Sequence, residues 1–427
     1  MSLSRVRRQL RDAVVGTRRA LRSRPLATVH GGCSMTVFGE PGFDTFFGYH
    51  DVSPFSHDDR LLLASRRPAH AGPAAAGSPL DLGVFDLSAG SPQFQKFAST
   101  TAWCWQQGCR LQWYRQPSTA LFNITERGRH GATLFDLSAG QERHRLERPL
   151  YAVSGDGRHG VSLNFARLQR LRPGYGYDDV ADATRAERAP ADDGLWLLDL
   201  ESGKADLVLP LAAAAGFGGD ESMAGATHYF NHVLWNPSGT RFFFLHLWQS
   251  DRGGRRARAL VFDRRSGVSA LGPHGHVSHH CWLDDDRVIV YATEPASGPA
   301  YYIYDARGRR EPRRIGGGGL CEDGHPSMSP AQRGVMITDT YPDDLAEQHV
   351  LGVDIPSGRM ERVASLYSPT RFRGERRCDL HPRWSRSGRH IAIDSAHLGE
   401  RRLCTIELET LVERLTSASA APSCAHS

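Results

Sequence analysis

Lysine is almost absent from this chain. Among 52 basic residues only Lys96 and Lys204 are lysines, and the rest are arginines. A bias this uniform reflects base composition, so arginine richness by itself marks no binding surface. The formal net charge of +5 is spread over 427 residues, too little and too dispersed for a nucleic-acid partner. The eight cysteines form no Cys-x-x-Cys pair, and a chain of this length needs no disulfide scaffold. Reduced, mostly buried thiols are expected. Long apolar runs are missing too. No stretch of about 18 apolar residues is available to cross a membrane. The first residues lack the unbroken apolar segment, about 7–15 residues long, of a secretory signal. A cytoplasmic location is therefore expected. There is no Gly-x-Ser-x-Gly elbow, which counts against a serine peptidase.

What is present is a spaced repeat. The run His381-Pro382-Arg383-Trp384 has counterparts at His325-Pro326-Ser327-Met328, His279-His280-Cys281-Trp282 and His232-Val233-Leu234-Trp235. Each places a histidine three residues before a large apolar residue, then a polar turn, then a short β-rich run. The histidines are 47, 46 and 56 residues apart. A period of roughly 40–50 residues with four short strands per unit predicts a β-propeller. The near-identical runs Val-Phe-Asp-Leu-Ser-Ala-Gly at 84–90 and Leu-Phe-Asp-Leu-Ser-Ala-Gly at 134–140 support the repeat. Counting units gives an all-β, seven-bladed propeller over 45–416. Its ring is expected to close through 35–38 or 411–415.

Outside the repeat lie three segments. Residues 1–30 read as a basic amphipathic helical extension, with surface contact to anionic membrane as one use. Residues 417–427, rich in Ala and Ser, read as a disordered tail. An insertion in blade 3, at 165–193, carries Arg167, Arg170, Tyr175, Tyr177 and the pair Asp178-Asp179. Insertions on a propeller gather on one face, commonly the binding face.

If the four repeat histidines share one position on the innermost strands, they converge on the central channel. Imidazole is a common ligand for zinc, manganese, iron and nickel. His232, His279, His325 and His381 are therefore the expected metal set, for a divalent ion such as manganese or zinc. Asp323 and Asp379 each precede a histidine by two residues and so share its face on a strand.

The runs Phe47-Gly48-Tyr49-His50-Asp51, 103–113 (WCWQQGCRLQW), Asn231-His232 before Trp235, Asp323-Gly324-His325-Pro326 and Asp379-Leu380-His381-Pro382 resemble oligogalacturonate lyases. A more distant resemblance is to the seven-bladed ulvan lyases. The resemblance implies a propeller that cleaves uronic-acid polysaccharides by β-elimination, with a divalent metal in the channel. His381 matches the family's His-Pro histidine. Asp379 stands where the family has another histidine, and Arg376 where it has a glutamine.

β-Elimination needs a group to neutralise the uronate carboxylate, a base for the adjacent C–H, and an acid for the leaving oxygen. Arg377, Arg110 and Arg167 are candidates for the first task. His50, His228 and His232 are candidates for the second, and Tyr175 or Tyr229 for the third. Gln107, Tyr177, Tyr229 and Asn164 are expected to bind an acidic oligosaccharide. The alternative is a propeller that binds a glycan or a protein partner without catalysis.

Overall fold

The computed structural model describes residues 14–69, 76–251, 253–317 and 319–417. The expected tail, apart from Ser417, and the first thirteen residues of the expected extension lie outside them. Strand-forming residues dominate, and they pair into seven antiparallel sheets. Blade 1 uses Phe43–Phe46, Leu61–Pro68, Leu80–Asp86 and Gln95–Thr100; blades 2 to 6 follow in chain order, ending with Arg359–Tyr367. Six blades share one sequence device. The third strand ends on an aspartate whose carboxylate accepts N–H groups from the following turn. Asp86, Asp136, Asp199, Asp263, Asp305 and Asp354 all do this. The alternating strand therefore stops where its carboxylate offers the backbone a better partner than another strand.

Blade 7 is built from both ends of the chain. Arg383–Trp384, His390–Ser395 and Arg402–Glu407 supply three strands, and Met35–Phe38 adds the outermost. The alternative closure at 411–415 is not used, because those residues lie in the helix Glu409–Ser417. Its Leu411 and Leu415 pack on Gly352 of blade 6, where a side chain would leave no room. Ala27–Val29 falls within the expected extension but joins blade 6 as a fifth strand.

Ahead of that strand runs a helix at 14–21. Its Arg19, together with Arg24, holds Glu347 of blade 6, and Arg19 also stacks on Tyr367. Burial works against the Glu347 charge, but the two arginines outweigh it and hold its pKa below the usual glutamate value. The anchor is thus complete above the unfolded value and is lost as pH falls through the lower folded one. Removing one partner of a buried pair costs about 3–5 kcal/mol. Glu347→Gln should therefore expose Arg18 and Arg22 to trypsin in limited proteolysis. Unchanged cleavage would mean that other contacts hold the helix. Among the described residues no helix is long and apolar enough to cross a membrane.

Candidate metal centre in the propeller channel

The innermost strands are bulged rather than straight. In blade 4 the register slips between Asn231 and Leu234, and in blade 5 between Val277 and His280. His232 and His279, each three residues before a tryptophan, fall within these slips. His232 and His381 occupy this slot with φ of 54° and 47°, and Arg110 fills it in blade 2 with φ of 56°. Left-handed backbone at a non-glycine residue costs free energy and clusters at functional sites. Here it rotates these side chains out of the strand's alternation.

His50, His232, His279, His325 and His381 come together around Tyr49. Tyr49 stacks on His232 at 5.1 Å, and its ring centroid lies 4.6–6.3 Å from those of the other four. The His325 ring is 4.0 Å from His279 and 4.2 Å from His381, centroid to centroid. None of the six residues is more than 4% exposed. Burial, reinforced by neighbouring rings and cations, pushes His50, His232, His325 and His381 well below the usual histidine value, so these imidazoles are neutral.

Hydrogen bonds fix which nitrogen carries the proton. His50 Nδ1 donates to Pro326 O at 3.0 Å, and His381 Nδ1 donates to Gly48 O at 2.8 Å. His279 Nδ1 faces Asp323 Oδ1 at 3.0 Å, and His325 Nδ1 faces Asp339 Oδ1 at 2.8 Å. Asp339 also accepts the backbone N–H groups of His325 and His381, one on each oxygen; burial pushes its pKa up to about 7, and these two bonds work against that rise and favour the carboxylate. The Nε2 atoms of the neutral His325 and His381 are consequently lone pairs, and they, His279 Nε2 and Asp379 Oδ1 are all buried without a hydrogen-bond partner. One ligand atom each from His325, Asp379 and His381 lies within 4.8 Å of the others. Neutral imidazoles oriented through Nδ1 by carboxylate or carbonyl are what a divalent metal requires.

His232 departs from this set. Its Nε2 accepts from Asn231 Nδ2 at 3.2 Å, and the Asn231 orientation is fixed by bonds to Oδ1 from Tyr151 and Gln107. Its unpartnered nitrogen is therefore Nδ1, which carries hydrogen. His232 is a donor toward the channel rather than a metal ligand.

The insertion covers this cluster. The Tyr175 ring sits 5.7 Å from His232, and its hydroxyl accepts from Arg377 Nη2 at 2.9 Å. Arg377 Nε bonds Asp379 at 2.6 Å. Burial works against the Arg377 charge, but Tyr175, Asp379 and Tyr341 outweigh it and keep its pKa above the ordinary value. The Arg377 side chain is 31% exposed and marks the mouth.

Other expected site residues belong to the scaffold. Arg110 is held bidentately by Asp51 and also bonds Tyr151 O. Arg167 directs its donors to the carbonyls of His228, Thr184, Glu187 and Arg188, which pins the insertion to blade 4. His228 is bound to His246 and Met223 O, away from the channel. Asn164 caps the helix Phe165–Leu171 and bonds Asp193. Gln107 props Tyr151 and Asn231 behind His232. Tyr229 is buried in the blade core with its hydroxyl unpartnered. Tyr177 stacks flat on Phe165 at 4.2 Å and bonds Asn123. Tyr177→Ala should lower stability by about 3–5 kcal/mol in denaturant unfolding. A loss below 1 kcal/mol would contradict this packing role.

Sequence reasoning did not single out Tyr49 or Asp339. Asp339 ends the strand Val335–Asp339, buried at every position, and a carboxylate there demands partners. Asp323 was expected beside His325, yet it serves His279 of the preceding blade.

No family model matches the chain, and no curated protein matches it by sequence. Solved structures do. An oligogalacturonate lyase in complex with manganese superposes with a TM-score of 0.62 at 14% identity, covering 89% of this chain and 98% of that one. The chain has the oligogalacturonate lyase fold. An oligogalacturonate lyase from Vibrio parahaemolyticus gives 0.58 at 11% identity, covering 90% and 98%. At these identities the likeness is one of fold.

Proposed function

We propose that the protein is a lyase that cleaves a uronate-containing oligosaccharide by β-elimination, with a divalent metal held by His279, His325, His381 and Asp379. The observation that carries this reading is that ligand atoms of His325, His381 and Asp379 lie within 4.8 Å of one another, both Nε2 atoms unpartnered and both imidazoles oriented from behind; His279, its Nε2 also unpartnered, joins them because its ring lies 4.0 Å from that of His325. Three imidazoles and a carboxylate suit zinc or manganese, and the manganese in the similar structure favours manganese. A bound divalent cation would supply Lewis-acid neutralisation of the substrate carboxylate. Arg377 is the chain's own group for that task. Exchanging Tyr175 for substrate would free its Nη2 to bind the carboxylate.

His50 presents an Nε2 lone pair to the channel, so it takes the proton from the carbon beside the carboxylate. That electron pair forms the double bond and expels the glycosidic oxygen. Burial pushes the Tyr49 phenol well above its usual value, and its hydroxyl has no partner. It therefore suits donation to the leaving oxygen, with His232 Nδ1–H as a second donor. The insertion excludes water while this occurs.

The closure of the cluster favours a second reading, a propeller that binds a glycan or a protein without turning over. The two are separated by incubating the metal-loaded protein with uronic-acid oligosaccharides and following the ultraviolet absorbance of the conjugated product. Rising absorbance supports elimination. Saturable binding with no product from any uronate substrate would replace it with the second reading.

A further inference from the structure

On the other side of the wall that carries Arg377, positive charge gathers that the described residues only partly neutralise, through Asp44 and the carbonyls that Arg401 bonds. Arg67, Arg376 and Arg401 bring their guanidinium carbons to 5.1, 5.4 and 4.7 Å from the ring centroid of one indole, Trp105. Arg67 and Arg401 are 4% and 2% exposed, and Arg376 is half-buried. Their sequence neighbours Arg66, Arg377 and Arg402 form ion pairs with Glu40, Asp379 and Glu400. Among the described residues Arg67, Arg376 and Arg401 form none. Asp44 lies across the strand pair from Arg67, but its Oδ1 accepts the backbone N–H of Arg401.

Unsatisfied donors accompany the unpaired charge. Arg67 Nη1, Arg376 Nε and Arg401 Nε are buried without a hydrogen-bond partner. Stacking on Trp105 does not remove the deficit, because an indole has two faces and three guanidiniums surround it. Burial lowers the Arg67 pKa; Asp44 opposes this, and the other two arginines add to it, so the net direction stays downward. Buried charge without a partner is costly, and an anion relieves it. Trp105 and Arg376 also line a cleft of about 450 Å³, together with Trp103, Gln169, Gly174 and Glu375. Gln106 divides this cleft from the channel, bonding Glu375 O and Arg377 O through its amide and Gly174 O through its backbone. Consecutive residues thus serve two compartments: Arg377 faces Tyr175 and Arg376 faces Trp105.

We propose that the Trp105 cleft is an oxyanion site, separate from the histidine cluster, which takes the carboxylate or phosphate group of a ligand. Guanidiniums offer forked donors that match either oxyanion. An oxyanion in the cleft meets Arg376 directly, and its charge offsets those of Arg67 and Arg401 around Trp105.

The test uses the full chain, titrated with glucuronate, inorganic phosphate and glucose, and read by calorimetry and thermal unfolding. Saturable binding of at least one oxyanion is expected, with none for glucose. The tighter of the two identifies carboxylate or phosphate as the group recognised. Arg376→Gln should weaken binding about 10-fold or more, the effect of losing a charged hydrogen-bond donor, while His325→Ala should leave it unchanged. Among the described residues the Arg376 side chain forms no hydrogen bond, so this variant should fold; Arg67→Gln, checked by circular dichroism, is the second. Failure of both oxyanions to bind, equal binding by Arg376→Gln and wild type, or loss in His325→Ala alone would overturn the proposal.

Discussion

His325→Ala and His381→Ala should each abolish stoichiometric metal binding. After loading with manganese or zinc and desalting, the wild-type chain is expected to retain one ion, measured by elemental analysis. Each variant loses a nitrogen whose lone pair has no other partner. Altering only an orienting residue costs about 10–100-fold in metal affinity, and removing a ligand should cost more. Asp339→Asn gives the graded control, because it keeps the shape but weakens the acceptor facing His325 Nδ1. His232→Ala should retain the ion, since its Nε2 is engaged by Asn231. Full retention in a His325/His381 double variant would eliminate the centre.

The second large effect concerns Arg377. Arg377→Ala should reduce elimination by at least about 100-fold, as expected for removing one electrostatic contributor, and it is assayed below its own unfolding transition because it leaves the buried Asp379 without its partner. Tyr175→Phe is expected to act differently: it removes the hydroxyl that holds Arg377 but keeps the ring beside His232. Its effect should be confined to a few-fold change, because the guanidinium remains. Near wild-type turnover in Arg377→Ala would remove this residue from the mechanism. Equal metal content in both variants and wild type would show that any loss arises at the substrate.

The register of the histidines was legible because a large apolar residue on the paired innermost strand, Trp235, Trp282, Met328 or Trp384, stands three residues beyond each one. The same pattern did not reveal ligand identity. His228 has the same parity as His232 on one strand, and simple alternation puts both on one face. The left-handed His232 breaks that alternation, so parity does not carry across the bulge. Arg110 and Arg167 have the right chemistry for a carboxylate, but a sequence does not show which carbonyls or carboxylates already engage a guanidinium. Tyr175 and Tyr177 looked equivalent in the insertion. Gly176 between them packs against Phe165 and Gln169 too closely for a side chain, and the chain there sends one ring to the channel and the other into the core.

Closure of blade 7 has a consequence for biosynthesis. Met35–Phe38 emerges from the ribosome before any blade, yet its partner Arg402–Glu407 is almost the last strand to appear. Until then the nascent ring has two unpaired edges, each a template for association with another chain. The seam must also bring together segments separated by nearly the whole sequence, which makes it a slow, late event in folding. Truncation before Arg402 would leave blade 7 as Arg383–Trp384 and His390–Ser395, with Met35–Phe38 unpaired. Its expected signature is aggregation during expression, because these two edges and the apolar faces of the flanking blades would be exposed.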